Sequence, residues 1–181
     1  SRPIVFTISA LNTEIVKMLF RQAQPRLLRM AQSFPVVVVT GPRQSGKTTL
    51  VQSAFPDRPY VSMEDLDVRR RVQDDPRQFL QQHAGGVLID EVQRVPELLS
   101  YLQTQVDAQK LPGRYILTGS QNLLMTEQIS QSLAGRAAYL DLLPLSYAEV
   151  EPIDKKLSLD ALLLRGSYPQ VALSGVAPSE W

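Results

Sequence analysis

Residues 36–50, VVVVTGPRQSGKTTL, decide the fold, because four valines run directly into a loop bounded by two glycines. A short unbroken run of β-branched residues is typical of a strand buried on both faces of a parallel sheet. The loop at residues 41–48 fits the pattern G-x-x-x-x-G-K-S/T at every position. The stretch therefore predicts a strand, a phosphate-binding loop and a helix, in that order. An ordinary tight turn is the alternative.

The residue types of this loop suit an anionic ligand. Glycine permits backbone conformations that aim N–H groups at a phosphate, and a helix starting near Gly46 adds its free N–H groups. Lys47 is a cation that can reach the β- and γ-phosphates of a nucleotide, and Thr48 offers a hydroxyl to Mg²⁺, which prefers oxygen ligands. Arg43 is expected to be solvated or to flank the phosphates. The predicted nucleotide-binding residues are Gly41, Pro42, Arg43, Gln44, Ser45, Gly46, Lys47, Thr48 and Thr49.

A second predicted strand ends in two acids, in the stretch GGVLIDEVQ at residues 85–93. We expect Asp90, at the end of this strand, to reach Mg²⁺. Because successive strand residues point in opposite directions, Glu91 is expected to sit over the γ-phosphate and polarise the attacking water. Two exposed acids at a strand end are the alternative interpretation.

Strand and helix patterns alternate along the chain. The predicted strands lie at residues 35–39, 59–63, 86–90, 114–120 and 137–145. The predicted helices lie at residues 14–32, with a break at Pro25, and at 64–83, 95–109 and 122–135. This alternation predicts an α/β, three-layer sandwich with a mainly parallel sheet of about five strands. Ligands then bind at the carboxyl ends of the strands, where the loop and the paired acids fall.

Composition excludes several classes of site. The 181 residues include no cysteine and one histidine, His83, and carry a net charge of +1. Disulfides, zinc ribbons, thiol nucleophiles and multi-histidine metal sites are therefore excluded. No apolar run approaches the roughly 20 residues of a membrane helix. We therefore expect no membrane span and a cytoplasmic location.

Taken together, these motifs resemble those of an AAA-type P-loop ATPase of the additional-strand class. More narrowly, the chain resembles a bacterial and archaeal family in which this domain precedes a C-terminal domain of unknown function. The resemblance covers roughly residues 20–172. Besides the two motifs above, it rests on DPRQFL (75–80), YILTGSQNLLM (115–125), ISQSLAGRAAYLDLLPLSYAE (129–149) and RGSYPQV (165–171).

The resemblance implies where further residues act. It implies that the strand containing ILTGSQN lies between the strand before the loop and the strand that ends in Asp90. Ser120 would be the polar sensor near the γ-phosphate, with Thr118 as the alternative. The first candidate for an arginine that stabilises γ-phosphate charge, sometimes from a neighbouring subunit, is Arg136, and Arg165 is the second. The alternative for Arg136 is a structural pairing with a carboxylate such as that of Asp141.

The sequence predicts a division of the chain. Because the chain opens on Ser1 and not on methionine, residues 1–17 would be an N-terminal extension or an expression remnant, with Met18 as a natural start. The resemblance implies that residues 18–150 form the ATPase domain and that residues 151–181 begin the connection to the C-terminal domain.

These observations predict Mg²⁺-dependent binding and hydrolysis of ATP. GTP is disfavoured because the sequence contains no N-K-x-D segment. One alternative is a nucleotide-gated protein- or DNA-binding module with little hydrolysis, and another is a P-loop kinase acting on a small molecule. The expected partners are ATP, further copies of the chain, and a protein or DNA reached through the C-terminal domain.

Overall fold

The computed structural model describes residues 21–120, 131–152 and 158–169. Within these residues one five-stranded sheet has the strand order β2-β3-β4-β1-β5, and every strand pair is parallel. This confirms the predicted α/β class and the placement of the ILTGSQN strand between its two neighbours. The strands are β1 (Val36–Gly41), β2 (Tyr60–Ser62), β3 (Val87–Asp90), β4 (Tyr115–Ser120) and β5 (Ala137–Asp141).

Helices connect the strands and cover both faces of the sheet. They are α1 (Gln24–Ser33), α2 (Lys47–Ala54), α3 (Leu66–Asp74), α4 (Pro76–Gln82), α5 (Leu98–Ala108), α6 (Tyr147–Val150) and α7 (Leu159–Arg165), with a 3₁₀ turn at Val92–Arg94. One apolar cluster joins α1 and α2 to one face of the sheet, and a larger one joins α3, α4 and α5 to the other. The predicted three-layer sandwich is therefore present.

The valine run of β1 shows why the sheet needs two helical layers. All four valines are fully buried. Val36 and Val38 belong to the larger cluster, whereas Val37 and Val39 belong to the other, because neighbouring strand residues point to opposite faces. A strand without a polar face can only lie between two covering layers.

The predicted helix at 64–83 is in fact two helices. α3 ends at Asp74 and α4 begins at Pro76, since proline has no N–H to continue a helix but suits a first turn. The Asp75 side chain accepts a hydrogen bond from the Gln78 N–H and so caps α4. The prediction of a single helix at residues 64–83 is therefore wrong, and Pro76 marks the start of the second helix.

Proline also shifts the start of two other helices. Pro25 lies in the first turn of α1, which begins at Gln24. Pro96 precedes α5, which begins at Leu98. The part of the first predicted helix at residues 14–20 and most of the predicted helix at 122–135 lie outside the described residues.

The chain after β5 packs as a small third cluster. Leu145, Val150 and Leu162 are buried together, and Ser146 caps α6 in a reciprocal arrangement with Glu149. The predicted division at residues 17 and 150 stays a prediction. Among the described residues no helix is long and apolar enough to cross a membrane.

The larger apolar cluster should dominate stability. Leu102 is 0% exposed within it, so Leu102→Ala should lower the free energy of unfolding by about 2–5 kcal/mol through lost burial and a cavity. Leu111 is 51% exposed, and Leu111→Ala is the matched control, expected to change stability by about 0.5 kcal/mol or less. Urea denaturation measures both. Equal decreases in the free energy of unfolding for the two variants would contradict this assignment of the core.

Candidate nucleotide-binding site

The functional residues converge at one edge of the sheet. β1 ends at Gly41, which lies opposite Ser120 at the end of β4, and the last residue of β3 is Asp90. Because all five strands are parallel, these carboxyl ends meet at the same edge. The helix α2 begins at Lys47, directly after the loop.

The loop depends on glycine at two positions. Gly41 has φ +151°, and a Cβ there would lie 2.2 Å from the Leu142 carbonyl oxygen, much closer than any real contact. Gly46 has φ +91° and precedes the first residue of α2. Both conformations strongly favour glycine. The glycines of the sequence pattern therefore give the loop its shape and allow the chain after β5 to pack against it.

Lys47 lies inside the loop. Its Nζ donates to the carbonyl oxygens of Gly41 (3.1 Å) and Pro42 (2.7 Å), and the side chain is buried. Burial lowers the pKa of Lys47, the carboxylates of Glu91 and Asp90 oppose this shift, and Arg43 adds to it. The site thus holds one desolvated cation at the centre of the loop.

Asp90 lies where hydroxyl groups from three other elements meet. Thr48 Oγ1, at the start of α2, lies 3.2 Å from each oxygen of the buried Asp90 carboxylate. Tyr60 Oη donates to Oδ2 at 2.7 Å, and Thr118 Oγ1 donates to Oδ1. Thr48 and Asp90, both predicted as metal ligands, are therefore neighbours. Their oxygens are of the type that Mg²⁺ prefers, so the residues present fit that ion.

Glu91 has a strained backbone. Its φ of 54° and ψ of 45° are left-handed, which is unusual for a residue other than glycine. Glu91 Oε2 accepts hydrogen bonds from Gln93 Nε2 and from Ser120 Oγ, the latter at 3.4 Å. Ser120 thus contacts Glu91, whereas Thr118, the alternative sensor, contacts Asp90.

Of the groups described so far, Lys47, Thr48 and Glu91 border a cleft of about 410 Å³, whereas Asp90 and Ser120 do not line it. It is lined by Arg43, Gln44, Gly46, Lys47, Thr48, Thr49, Glu64, Glu91, Arg94 and Pro169. A larger cavity of about 610 Å³ lies between β2, α3 and α4, and of the site residues named here only Tyr60 lines it. The smaller cleft is the candidate site, because the cationic lysine and the acid Glu91 both face it.

Arg136 lies at the opposite edge of the sheet. Its carbonyl accepts from the N–H of Val36, the first residue of β1, which places it roughly 17 Å of strand away from Gly41. Its guanidinium pairs with Asp107 (Nε to Oδ1, 2.6 Å; Nη2 to Oδ2, 2.9 Å) and not with Asp141. Within one chain Arg136 is therefore remote from the loop. A role at the γ-phosphate stays a prediction for a neighbouring copy, and the alternative Arg165, the last residue of α7, also stays a prediction.

Sequence reasoning missed Tyr60 and Gln93. Tyr60 meets Asp90 only because β2 pairs with β3 in a register that places Ser62 opposite Asp90. Burial and the bond to the Asp90 carboxylate raise the pKa of Tyr60 well above its ordinary value, so its hydroxyl stays a donor. Gln93 could have been predicted from the sequence, because it follows Asp90 and Glu91 in the same short stretch.

The fold and the site together define a P-loop domain of the AAA type. A family model described as an AAA domain matches residues 33–151. This chain belongs to that family, and the resemblance to AAA-type P-loop ATPases is confirmed.

Two mycobacterial relatives match most of the chain. One protein of Mycobacterium tuberculosis and one of Mycobacterium bovis, both described as uncharacterized, are each 36% identical to it over 167 residues. The match covers 90% of this chain but 36% of each relative. The chain therefore spans about a third of the length of the curated relatives that it matches.

Solved structures show the same fold. A Walker-type ATPase of Pyrococcus abyssi has a TM-score of 0.57 at 16% identity, over 85% of this chain and 65% of that one. AMPPCP-bound DnaA from Aquifex aeolicus has a TM-score of 0.57 at 17% identity, over 92% of this chain and 59% of that one. At such identities the likeness establishes the fold alone.

The left-handed backbone of Glu91 leads to a prediction about stability. Glycine tolerates this conformation better than alanine does, so Glu91→Gly should be more stable than Glu91→Ala by about 1 kcal/mol. Glu151 has right-handed helical angles (φ −50°), and there the order should reverse. Urea denaturation measures the free energy of unfolding of the four variants. A Glu91→Ala variant as stable as Glu91→Gly would show that the backbone of Glu91 is not strained.

Proposed function

We propose that this chain binds ATP together with Mg²⁺ and hydrolyses its terminal phosphate. The observation that carries the proposal is the junction of Thr48 Oγ1 with both oxygens of Asp90, beside Lys47 and Glu91. It joins a hydroxyl and a carboxylate, which are ligands suited to Mg²⁺, to a desolvated cation suited to phosphate. Membership of the AAA family supports nucleotide as the ligand.

Each side chain then has a defined task. The loop N–H groups and the Lys47 ammonium hold the phosphates, and Lys47 exchanges its present bonds to the Gly41 and Pro42 carbonyls for phosphate oxygens. Thr48 and Asp90 would hold Mg²⁺, which neutralises charge on the phosphates when bound. Among the described residues no group of three metal-binding side chains occurs. This fits an ion that completes its shell with water and phosphate oxygens.

Glu91 acts on water. Its carboxylate orients a water molecule and accepts a proton as the water oxygen attacks the γ-phosphorus, while ADP departs with the electrons of the broken P–O bond. Ser120 Oγ and Gln93 Nε2 both donate to Oε2 of Glu91 and so hold this carboxylate. Asp90 has other hydrogen-bond partners, so that metal binding and proton transfer would use different groups.

The larger assembly is also a proposal. An arginine at the far edge of the sheet can serve the γ-phosphate only from another copy of the chain, so Arg136 supports a homo-oligomeric ATPase. A protein or DNA partner would be engaged by the remaining length that the mycobacterial relatives have and this chain does not span.

Binding and turnover should separate in two variants. Lys47→Ala should weaken ATP affinity at least about tenfold, because it deletes the buried cation that faces the phosphates, while the surface variant Lys110→Ala should not.

Glu91→Gln should bind ATP normally but lose at least about a hundredfold in turnover, and the control variant Glu97→Gln should keep both ATP affinity and turnover. Calorimetry and phosphate release with Mg²⁺ provide the measurements.

Unchanged affinity in Lys47→Ala would contradict the phosphate-binding role of the loop. Normal turnover in Glu91→Gln would remove Glu91 from catalysis. Tight binding by the wild-type chain without turnover at any protein concentration would favour a nucleotide-gated binding module instead.

Arg136 can be tested by mixing chains. Arg136→Ala should bind ATP but lose about a thousandfold in turnover, and mixing it with Glu91→Gln chains should restore activity. Such mixtures contain sites with an intact Glu91 from one copy and an intact arginine from the next. Asp107→Asn is the control, because it weakens the ion pair of Arg136 yet keeps the arginine. A mixture without rescue refutes the role between copies.

A further inference from the structure

A buried arginine lies against the phosphate-binding loop. The side chain of Arg21 donates hydrogen bonds to three acceptors: from Nη1 to the Ser45 carbonyl (2.8 Å), from Nη2 to the Leu143 carbonyl (2.7 Å) and from Nε to Glu149 Oε1 (3.1 Å). Arg21 as a residue is 6% exposed. One guanidinium therefore joins the segment before α1, the loop and the chain after β5.

Glu149 is the counterion of this arginine, and both of its oxygens are occupied. Oε1 accepts from Arg21 Nε and from the Gln22 N–H (2.7 Å), and Oε2 accepts from the N–H (2.8 Å) and hydroxyl (3.2 Å) of Ser146. Burial alone would raise the pKa of Glu149, but the N–H groups of Ser146 and Gln22 and the charge of Arg21 outweigh it and lower the pKa. The lowered pKa favours the charged form of Glu149, and both of its oxygens are hydrogen-bonded.

The bond to the Ser45 carbonyl sets the direction of a loop N–H. In a planar trans peptide the carbonyl and the following N–H point in opposite directions. Because Arg21 holds the Ser45 carbonyl on its own side, the Gly46 N–H points to the other side, and Gly46 lines the cleft. A Cβ on Gly46 would lie 3.1 Å from Arg21 Nη1, so the guanidinium lies directly against the loop at this glycine.

We propose that Arg21, held by Glu149, is a positioning residue that keeps the Ser45–Gly46 peptide in its phosphate-binding orientation. The inference rests on the proposed nucleotide-binding function. Buried ion pairs add little net stability over apolar replacements of the same shape, so stability alone gives a weak reason for this pair. A loop whose N–H groups are already oriented binds phosphate without first ordering its backbone, which increases affinity.

Arg21→Lys is the test, with Arg114→Lys as its matched control. Lysine keeps the charge but cannot reach three acceptors in one plane. Arg114 is equally buried, at 3% exposed, and donates to Gln109 at the far edge of the sheet. If Arg21 positions the loop, Arg21→Lys should weaken ATP affinity about tenfold or more, while Arg114→Lys should leave it unchanged.

A second readout needs no nucleotide. In ¹⁵N-labelled protein the Gly46 amide resonance should shift in Arg21→Lys and, by less, in Glu149→Gln, but not in Arg114→Lys. Glu149→Gln also serves if Arg21→Lys does not fold. An unmoved Gly46 resonance, or ATP affinity equal to that of the wild type, overturns the inference. If the wild-type chain binds no ATP, the proposed function fails, and the Gly46 resonance alone decides whether Arg21 orients the loop.

Discussion

The carboxylate of Asp90 is the constraint on which the rest of the site depends. It is a buried charge, and a buried charge must be surrounded by donors or it destabilises the fold. Its donors come from the start of α2, from β2 and from β4, so one side chain ties together the helix after the loop and the strands on both sides of β3. The carboxyl edge of the sheet is organised around this group, and an Mg²⁺ ion bound there would take over a position already lined with oxygen.

The loop itself is held from its outer side. The carbonyl of Leu142 packs against Gly41, and the guanidinium of Arg21 holds the carbonyl of Ser45, so the chain before α1 and the chain after β5 both shape the backbone that would bind phosphate. Such support matters because the energy of phosphate binding comes from N–H groups that are oriented before the ligand arrives. At Glu91 the same edge carries a left-handed backbone, and the carboxylates of Glu91 and Asp90 have different hydrogen-bond partners.

Short sequence patterns predicted most of the features that depend on a few consecutive residues. The valine run, the glycine-bounded loop and the acids after β3 each occupy a few consecutive residues, and their residue types leave few structural alternatives. The break between α3 and α4 was missed although its signal was present in the proline at position 76 and the capping acid before it. Arg136 marks the limit of such reasoning, since its sequence context indicated a phosphate contact but gave no information about the edge of the sheet at which it lies.

The sequence by itself determined the class of fold, the phosphate-binding loop and the pair Asp90 and Glu91, because backbone conformation and burial pattern act over short stretches of chain. Only the tertiary structure decided that Tyr60 and Thr118 surround Asp90 and that Arg21 and Glu149 support the loop. These contacts join residues 24 to 128 positions apart. They depend on strand register and on how the segments flanking the sheet pack together, and neither of these is set by any short stretch of sequence.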